Sequence, residues 1–165
     1  MIKGKLNLYL ESSVISMYFQ DNVPHLRDLT RQFWEEILPY FDGYVSEIVL
    51  AEVRATTELY LRKALETLIS EFEVLKLIED TIRLSDLYSS CRLSDLYTSC
   101  RGLPRADALH LASASVGGMD FLVTWNLKRL YKGGTQVMIR EINAQLRIPV
   151  PAIVTPKDFL REKVI

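Results

Sequence analysis

Glu11, Glu52, Asp107 and Asn126 stand where the chain otherwise reads as buried core. Glu11 ends the apolar run LNLYL, and Glu52 lies inside EIVLAEV. Asp107 is the only charge in ADALHLASASVGG, and Asn126 ends FLVTW. Burying a carboxylate is costly unless it is paired or binds a cation. Three carboxylates in apolar surroundings, with too few basic neighbours to match them, point to a metal site. Oxygen ligands suit Mg²⁺ or Mn²⁺ rather than Zn²⁺. Such ions activate water and stabilise the charge that builds up in phosphodiester hydrolysis.

Each residue also has a local explanation. Glu11 could be a carboxylate at a helix terminus, and Asn126 an N-cap. Asp107 at the start of a helix is favoured by the helix dipole. Glu52 could turn to solvent or pair with Arg54 or Arg105. His110, one turn from Asp107, reads as a hydrogen-bonded core residue. Asp120 reads as a turn residue at the sheet edge opposite Asn126. The constellation is more specific than any of its members.

The elements that must position these groups follow from periodicity and breakers. Residues 5–10 read as a strand, and Ser12 and Ser13 as caps of a helix over about 13–20. A turn is expected around Asp21, Asn22 and Pro24. Leu26, Leu29, Phe33 and Ile37 recur at helical spacing over about 25–40. Tyr44 and Val45 begin a strand, and Ser46 reads as the N-cap of the next helix. On that helix Val49, Glu52, Val53 and Thr56 share a face. A further helix covers about 57–71, and Val74 to Ile78 is a strand candidate. Pro104 opens a helix to about 116, ended by Gly117-Gly118. Phe121 to Trp125 is an apolar, β-branched strand of the kind covered on both faces. Asn126 is expected to cap a short helix, residues 137–146 are expected to be helical, and a strand at 152–155 precedes a helix opened by Pro156. Strands alternating with helices predict an α/β fold. Its sites would lie at the carboxyl ends of the strands, where Glu11 and Asn126 fall.

Residues 79–101 read as helical and contain a tandem duplication: RLSDLYSSC (83–91) is followed at once by RLSDLYTSC (92–100). Nine residues of helix turn about 900° and rise about 13.5 Å, so the second copy would face away from the first. Either the helix outruns the body of the domain or one copy forms a loop. A projecting copy could mediate self-association; the plainer reading is a tolerated insertion.

The chain has 165 residues, 48% of them hydrophobic and 25% charged, with a formal net charge of −1. That suits a single domain over 1–165, with no linker and no strong basic field for nucleic acid. Local basic groups remain, at Arg62 with Lys63 and at Lys128, Arg129 and Lys132. No run reaches the length of a membrane span. Cys91 and Cys100 occupy equivalent places in the duplication and look copied rather than paired. A cytoplasmic setting is the expectation. No GxGxxG or GxxxxGK[ST] pattern is present, which weakens a nucleotide-binding reading.

LYLESSVIS, SEIVLAEV, ADALHLASA and DFLVTWN, in that order, resemble the successive motifs of PIN-domain proteins of the VapC toxin group. The resemblance spans nearly the whole chain, from Leu6 to IVTPKDFL. It implies a three-layer α/β/α sandwich with a parallel sheet and a metal-dependent ribonuclease that cleaves single-stranded RNA. It further implies Glu11, Glu52 and Asp107 as ligands of Mg²⁺ or Mn²⁺, and Asn126 at the place of a fourth acid. Ser13, and beside it Ser12, match the small polar residues next to the first acid. An antitoxin partner and a homodimer are implied as well. The chain departs from the pattern at Glu11, where the family usually has Asp, and Asn126 removes one charge. A catalytically weak PIN scaffold that binds RNA or a protein partner is therefore the alternative expectation.

Overall fold

Five short strands form a wholly parallel sheet: β1 (Asn7–Leu10), β2 (Asp42–Ser46), β3 (Glu73–Leu75), β4 (Phe121–Val123) and β5 (Ala152–Val154). Their order is β3-β2-β1-β4-β5. The computed structural model describes residues 4–90 and 102–162. Tyr9 is opposite Tyr44 on one side and Leu122 on the other, which fixes the register of the three central strands.

Among the described residues eight α-helices connect and flank the strands: α1 (Ser12–Met17), α2 (Pro24–Glu36), α3 (Glu47–Arg54), α4 (Leu59–Ile69), α5 (Glu79–Ser90), α6 (Arg105–Val116), α7 (Gly133–Leu146) and α8 (Pro156–Glu162). The first two crossovers step one way along the sheet and the next two step the other way. Right-handed crossovers therefore put α2 and α4 on one face and α5, α6 and α7 on the opposite face. The packing agrees: α8 returns against α2, while α5 lies along α6 and touches α7. This is the three-layer α/β/α sandwich expected from the sequence. The buried side chains of both faces belong to one apolar cluster, with Leu8, Tyr9, Leu10, Leu122 and Val123 at its centre.

Every residue of α6 from Asp107 to Ser115 is buried. The helix is thus enclosed all round rather than presenting one apolar face. Any polar group on it must find a partner inside the fold.

Several local expectations are corrected. Ser12 and Ser13 are not the caps of α1: the Glu11 side chain accepts from the Ser13 N–H and caps the helix itself. Ser46 precedes α3 in extended conformation but makes no side-chain cap. Its hydroxyl instead lies 2.7 Å from the Tyr9 hydroxyl. The segment after Asn126 is a hydrogen-bonded turn rather than a helix, with the N–H groups of Leu130 and Tyr131 on the Asn126 carbonyl. Asp120 does sit at the amino end of β4, where its carboxylate accepts from the Asn7 N–H at 2.8 Å.

The first copy of the duplication lies on α5 as far as Ser90, with Leu84, Ser85 and Tyr88 buried. Cys91, Cys100 and the whole second copy lie outside the described residues. The chain is described again from Gly102, and the Leu103 N–H donates to the Tyr88 carbonyl at 3.0 Å.

Candidate active site

The sheet order reverses between β1 and β4, and a crevice at such a switch point is where open α/β sheets place their ligands. Glu11 follows β1 directly, and its N–H donates to the Val123 carbonyl at the end of β4. Thr124, Trp125 and Asn126 follow β4. The first turn of α6 brings Asp107, and α3 brings Glu52. A cleft of about 520 Å³ opens here, and Glu11, Glu52, Asp107, His110, Asn126 and Arg129 are among the residues lining it. A hollow of about 550 Å³ lies at the other end of the sheet, near Asp42, Gly43 and Glu73. It contains none of these residues.

Glu11 is only 5% exposed. One of its oxygens, Oε2, accepts from the Ser13 N–H at 3.1 Å, from the Thr124 hydroxyl at 2.7 Å and from the Ser13 hydroxyl. Ser13 is itself fixed, because its oxygen accepts from the Trp125 N–H at 2.8 Å. Thr124 Oγ1 likewise accepts from the Asn126 N–H at 2.9 Å. The two hydroxyls therefore tie the ends of β1 and β4 together through the Glu11 carboxylate. Hydrogen bonds to an ionised acceptor are the strong ones. The other oxygen, Oε1, is 3.9 Å from His110 Nε2.

His110, 1% exposed, stands at the centre of the acidic groups. Its Nε2 is 2.8 Å from Glu52 Oε1 and 3.4 Å from the Ser12 hydroxyl, and its Nδ1 is 2.7 Å from the Tyr9 hydroxyl. A carboxylate only accepts, so Nε2 carries the proton. Nδ1 lies against the Tyr9 hydroxyl, which in turn lies against the Ser46 hydroxyl. Burial, together with the Glu11 and Glu52 charges, holds the Tyr9 hydroxyl well above its ordinary pKa against the hydrogen bond with Ser46, so it stays protonated. A hydrogen-bonded chain joins Ser46, Tyr9, His110 and Glu52.

The Glu52 side chain is 43% exposed and occupies the rim of the cleft. Glu52 lines the cleft together with Val53 and Thr56 of the face expected from the sequence, but Val49 and Val53 are buried and Glu52 is not. Burial pushes its pKa up, but the hydrogen bond and charge of His110, with the Ser12 hydroxyl, outweigh this and bring it below the usual range.

Asp107 is 6% exposed. Its Oδ1 accepts from the Asn126 amide at 3.2 Å. Its Oδ2 is buried and has no hydrogen bond. Arg129 Nε lies 2.6 Å from that oxygen, close enough for an ion pair but off the hydrogen-bonding direction. Desolvation raises the Asp107 pKa, the Arg129 charge opposes this, and the Glu11 and Glu52 charges add to it. The mutual influence of the three acids reflects their convergence. Asn126 fits this cluster as an amide: it donates to Asp107 through Nδ2, while its Oδ1 accepts from the Arg129 N–H at 3.1 Å.

The donor set suits a hard divalent cation, and the orphaned Asp107 Oδ2 is the observation that fits one. Glu11 Oε1 is available as well. The arrangement is not a closed cage: among the described residues, no group of three His, Cys, Asp or Glu side chains is gathered tightly enough to hold an ion.

Solved structures resemble the chain over nearly its whole length, two of them as follows. One is the crystal structure of VapBC2 from Rickettsia felis bound to a DNA fragment from their promoter, with a TM-score of 0.53 and 16% identity, covering 91% of this chain and 98% of the other. The second is VapBC-1 from nontypeable Haemophilus influenzae, with a TM-score of 0.59 and 15% identity, covering 92% and 99%. The chain has the VapC-like PIN fold. No protein-family model matches the sequence. No curated protein matches it either. At these identities the likeness is one of fold. No helix among the described residues is long and apolar enough to cross a membrane.

On this PIN fold, Glu11, Ser12, Ser13, Glu52, Asp107 and Asn126 all line the same cleft. Sequence reasoning did not single out Thr124 or Tyr9 and assigned His110 to the core. Thr124 is recognisable as a hydroxyl directly after a buried strand, and His110 lies one turn from Asp107 on the same helix. In the sequence Arg129 reads only as part of a basic group. Its approach to Asp107 depends on the turn after Asn126, which spacing does not reveal.

Proposed function

We propose that the protein is a metal-dependent endoribonuclease cleaving single-stranded RNA, the toxin of a toxin–antitoxin pair. The observation that carries this reading is the convergence of Glu11, Glu52 and Asp107 on one cleft at the switch point of a PIN fold, with Asp107 Oδ2 left without a hydrogen bond. Glu11, Glu52 and Asp107 would hold Mg²⁺ or Mn²⁺. When bound, such an ion supplies activation of water and neutralisation of charge on the phosphodiester. The protein's own groups set up that chemistry. Ser13 and Thr124 fix the Glu11 carboxylate, His110 holds Glu52 from behind, and Asn126 orients Asp107. The partner reading, an antitoxin that covers the cleft, draws on the VapBC complexes whose fold the chain shares.

The test is cleavage of a mixed single-stranded RNA pool with Mg²⁺, Mn²⁺ or EDTA, comparing wild type with Asp107→Asn. Metal-dependent cleavage that Asp107→Asn abolishes is the expected result. Equal cleavage by both proteins would refute the assignment.

A second reading has its own observation. The three acids do not form a closed cage among the described residues, and Glu11 stands in place of the usual Asp. A PIN scaffold that binds RNA or a protein without cleaving it would look like this. Well-folded protein that retains RNA yet leaves it intact with either metal would select that reading.

A further inference from the structure

Arg129 is the only Lys or Arg among the described residues lining the cleft. Its backbone is anchored, since its N–H is held by Asn126 Oδ1. Its side chain is not: it is 58% exposed. The guanidinium reaches back over Asp107 and places Nε 2.6 Å from Oδ2, the one carboxylate oxygen of the cleft that is buried without a hydrogen bond. A guanidinium in good register makes paired N–H···O bonds to a carboxylate. Here the charge arrives without that alignment. The contact is electrostatic, between a guanidinium 58% exposed and a carboxylate 9% exposed, and only another cation at that buried oxygen could take its place.

We propose that Arg129 and a divalent cation compete for Asp107 Oδ2, and that loading of the cation releases the guanidinium to hold a phosphate of the single-stranded substrate. The proposal rests on the metal-site reading above and goes beyond it by assigning a role to a residue outside the acidic set. Two cations cannot share one carboxylate oxygen in a buried position without strong repulsion. The incoming ion has the higher charge and further oxygens to use, at Glu11 and Glu52. Once displaced, the guanidinium remains tethered at the cleft mouth by the turn at Asn126. Its five N–H donors match phosphate geometry, and the surrounding acids otherwise repel a polyanion. One residue thus links the two events: phosphate binding strengthens only when the ion is in place.

The experiment measures Mn²⁺ binding, by loss of the free-ion EPR signal, on the full chain as wild type, Arg129→Gln and Asp107→Asn. It then measures binding of a short fluorescein-labelled single-stranded DNA by anisotropy, with Mn²⁺ or with EDTA. Arg129→Gln is expected to bind Mn²⁺ more tightly, on the order of tenfold, because one competing charge is removed. It is expected to lose most of the Mn²⁺-dependent gain in oligonucleotide affinity that wild type shows. Wild type and Arg129→Gln binding Mn²⁺ equally, with Asp107→Asn binding none, would overturn the competition and leave the metal site standing. Equal Mn²⁺-dependent gain in both proteins would overturn the phosphate role. Mn²⁺ that ignores Asp107→Asn would overturn this proposal and the metal-site reading together.

Discussion

His110 Nε2 lies 2.8 Å from Glu52 Oε1, and this contact joins a buried polar chain to the rim of the cleft. Glu52 is drawn two ways. Burial raises its pKa, while the hydrogen bond and charge of His110 and the Ser12 hydroxyl lower it, and the lowering wins. Replacing His110 by Ala removes the lowering influence and leaves part of the desolvation. The Glu52 pKa is therefore expected to rise above its wild-type value, as read by ¹³C NMR titration of the side-chain carboxyl. A carboxylate with a depressed folded pKa stabilises the fold above its unfolded pKa, and that contribution disappears as pH falls through the folded value. The stability difference between wild type and Glu52→Gln should accordingly shrink on acidification below the ordinary carboxylate range. An unchanged Glu52 titration in His110→Ala would remove the basis for this coupling.

Tyr88 makes a separate pH prediction, away from the cleft. Its buried hydroxyl donates to Asn143 Oδ1 and lies 3.2 Å from the Ser115 hydroxyl, while the Asn143 amide donates to Ser115 at 3.1 Å. These three residues tie α5, α6 and α7 together. Burial pushes the Tyr88 hydroxyl up to about 12, outweighing its hydrogen-bond contacts with Ser115 and Asn143. A raised pKa means that the neutral phenol stabilises the fold below the unfolded value near 10, and that this is lost as pH rises towards about 12. Wild type should lose stability over that window more steeply than Tyr88→Phe. At neutral pH the substitution leaves buried partners unsatisfied and is expected to cost about 1–3 kcal/mol in urea unfolding. Parallel pH profiles for the two proteins would contradict this account.

Much of the fold and the set of cleft residues was legible because strand and helix periods are local properties. LNLYL, FLVTW and the run around Asp107 each carry their element in their own pattern. The polar residues that interrupt them marked the cleft. What was not legible depends on pairings between distant segments. Ser46 looks like a helix cap until Tyr9 arrives from a neighbouring strand to take its hydroxyl. Glu11 reads either as a metal ligand or as a carboxylate at a helix terminus until Thr124 and Ser13 are seen to pin one of its oxygens. His110 reads as a hydrogen-bonded core residue, and it is one, but only the fold shows that its partners are Tyr9 and Glu52. Arg129 reaches Asp107 only because the segment after Asn126 folds into a turn instead of a helix.

Gly102, where the described chain resumes after the duplicated segment, makes a packing prediction. A Cβ added there would clash with the Ser89 carbonyl oxygen, which is backbone and cannot swing aside. The adjacent Leu103 N–H is bonded to Tyr88. Gly102→Ala must push the start of the segment leading into α6 away from α5. The expected cost is about 1–3 kcal/mol, as for other forced overpacking, measured by urea unfolding. Since α6 carries Asp107 and His110, cleavage should fall along with stability. A neutral Gly102→Ala would show that this close approach is not maintained in solution.

The remaining prediction concerns Glu11. Glu11 is held by three hydrogen bonds to a single oxygen, from Ser13 N–H, Ser13 hydroxyl and Thr124 hydroxyl. Such a setting fixes the carboxylate in the position that its longer side chain reaches. Aspartate is one methylene shorter, about 1.5 Å of reach. It can still cap α1 through the Ser13 N–H, but it withdraws from Thr124, whose oxygen also receives the Asn126 N–H. The loss then spreads to the turn that carries Asn126 and Arg129. If Glu11 is part of a working site, Glu11→Asp should lower the rate of RNA cleavage, and a misplacement of about 1 Å is worth on the order of 100-fold. Thr124→Val should act in the same direction through the same carboxylate, with a cost in stability of about 1–3 kcal/mol for the unsatisfied partners. The informative comparison is between the two variants. A decline in both supports a cleft built around glutamate. A large gain in Glu11→Asp, with Thr124→Val still impaired, would mean that the hydrogen bonds hold Glu11 for the fold alone and that the site has drifted from a more active form.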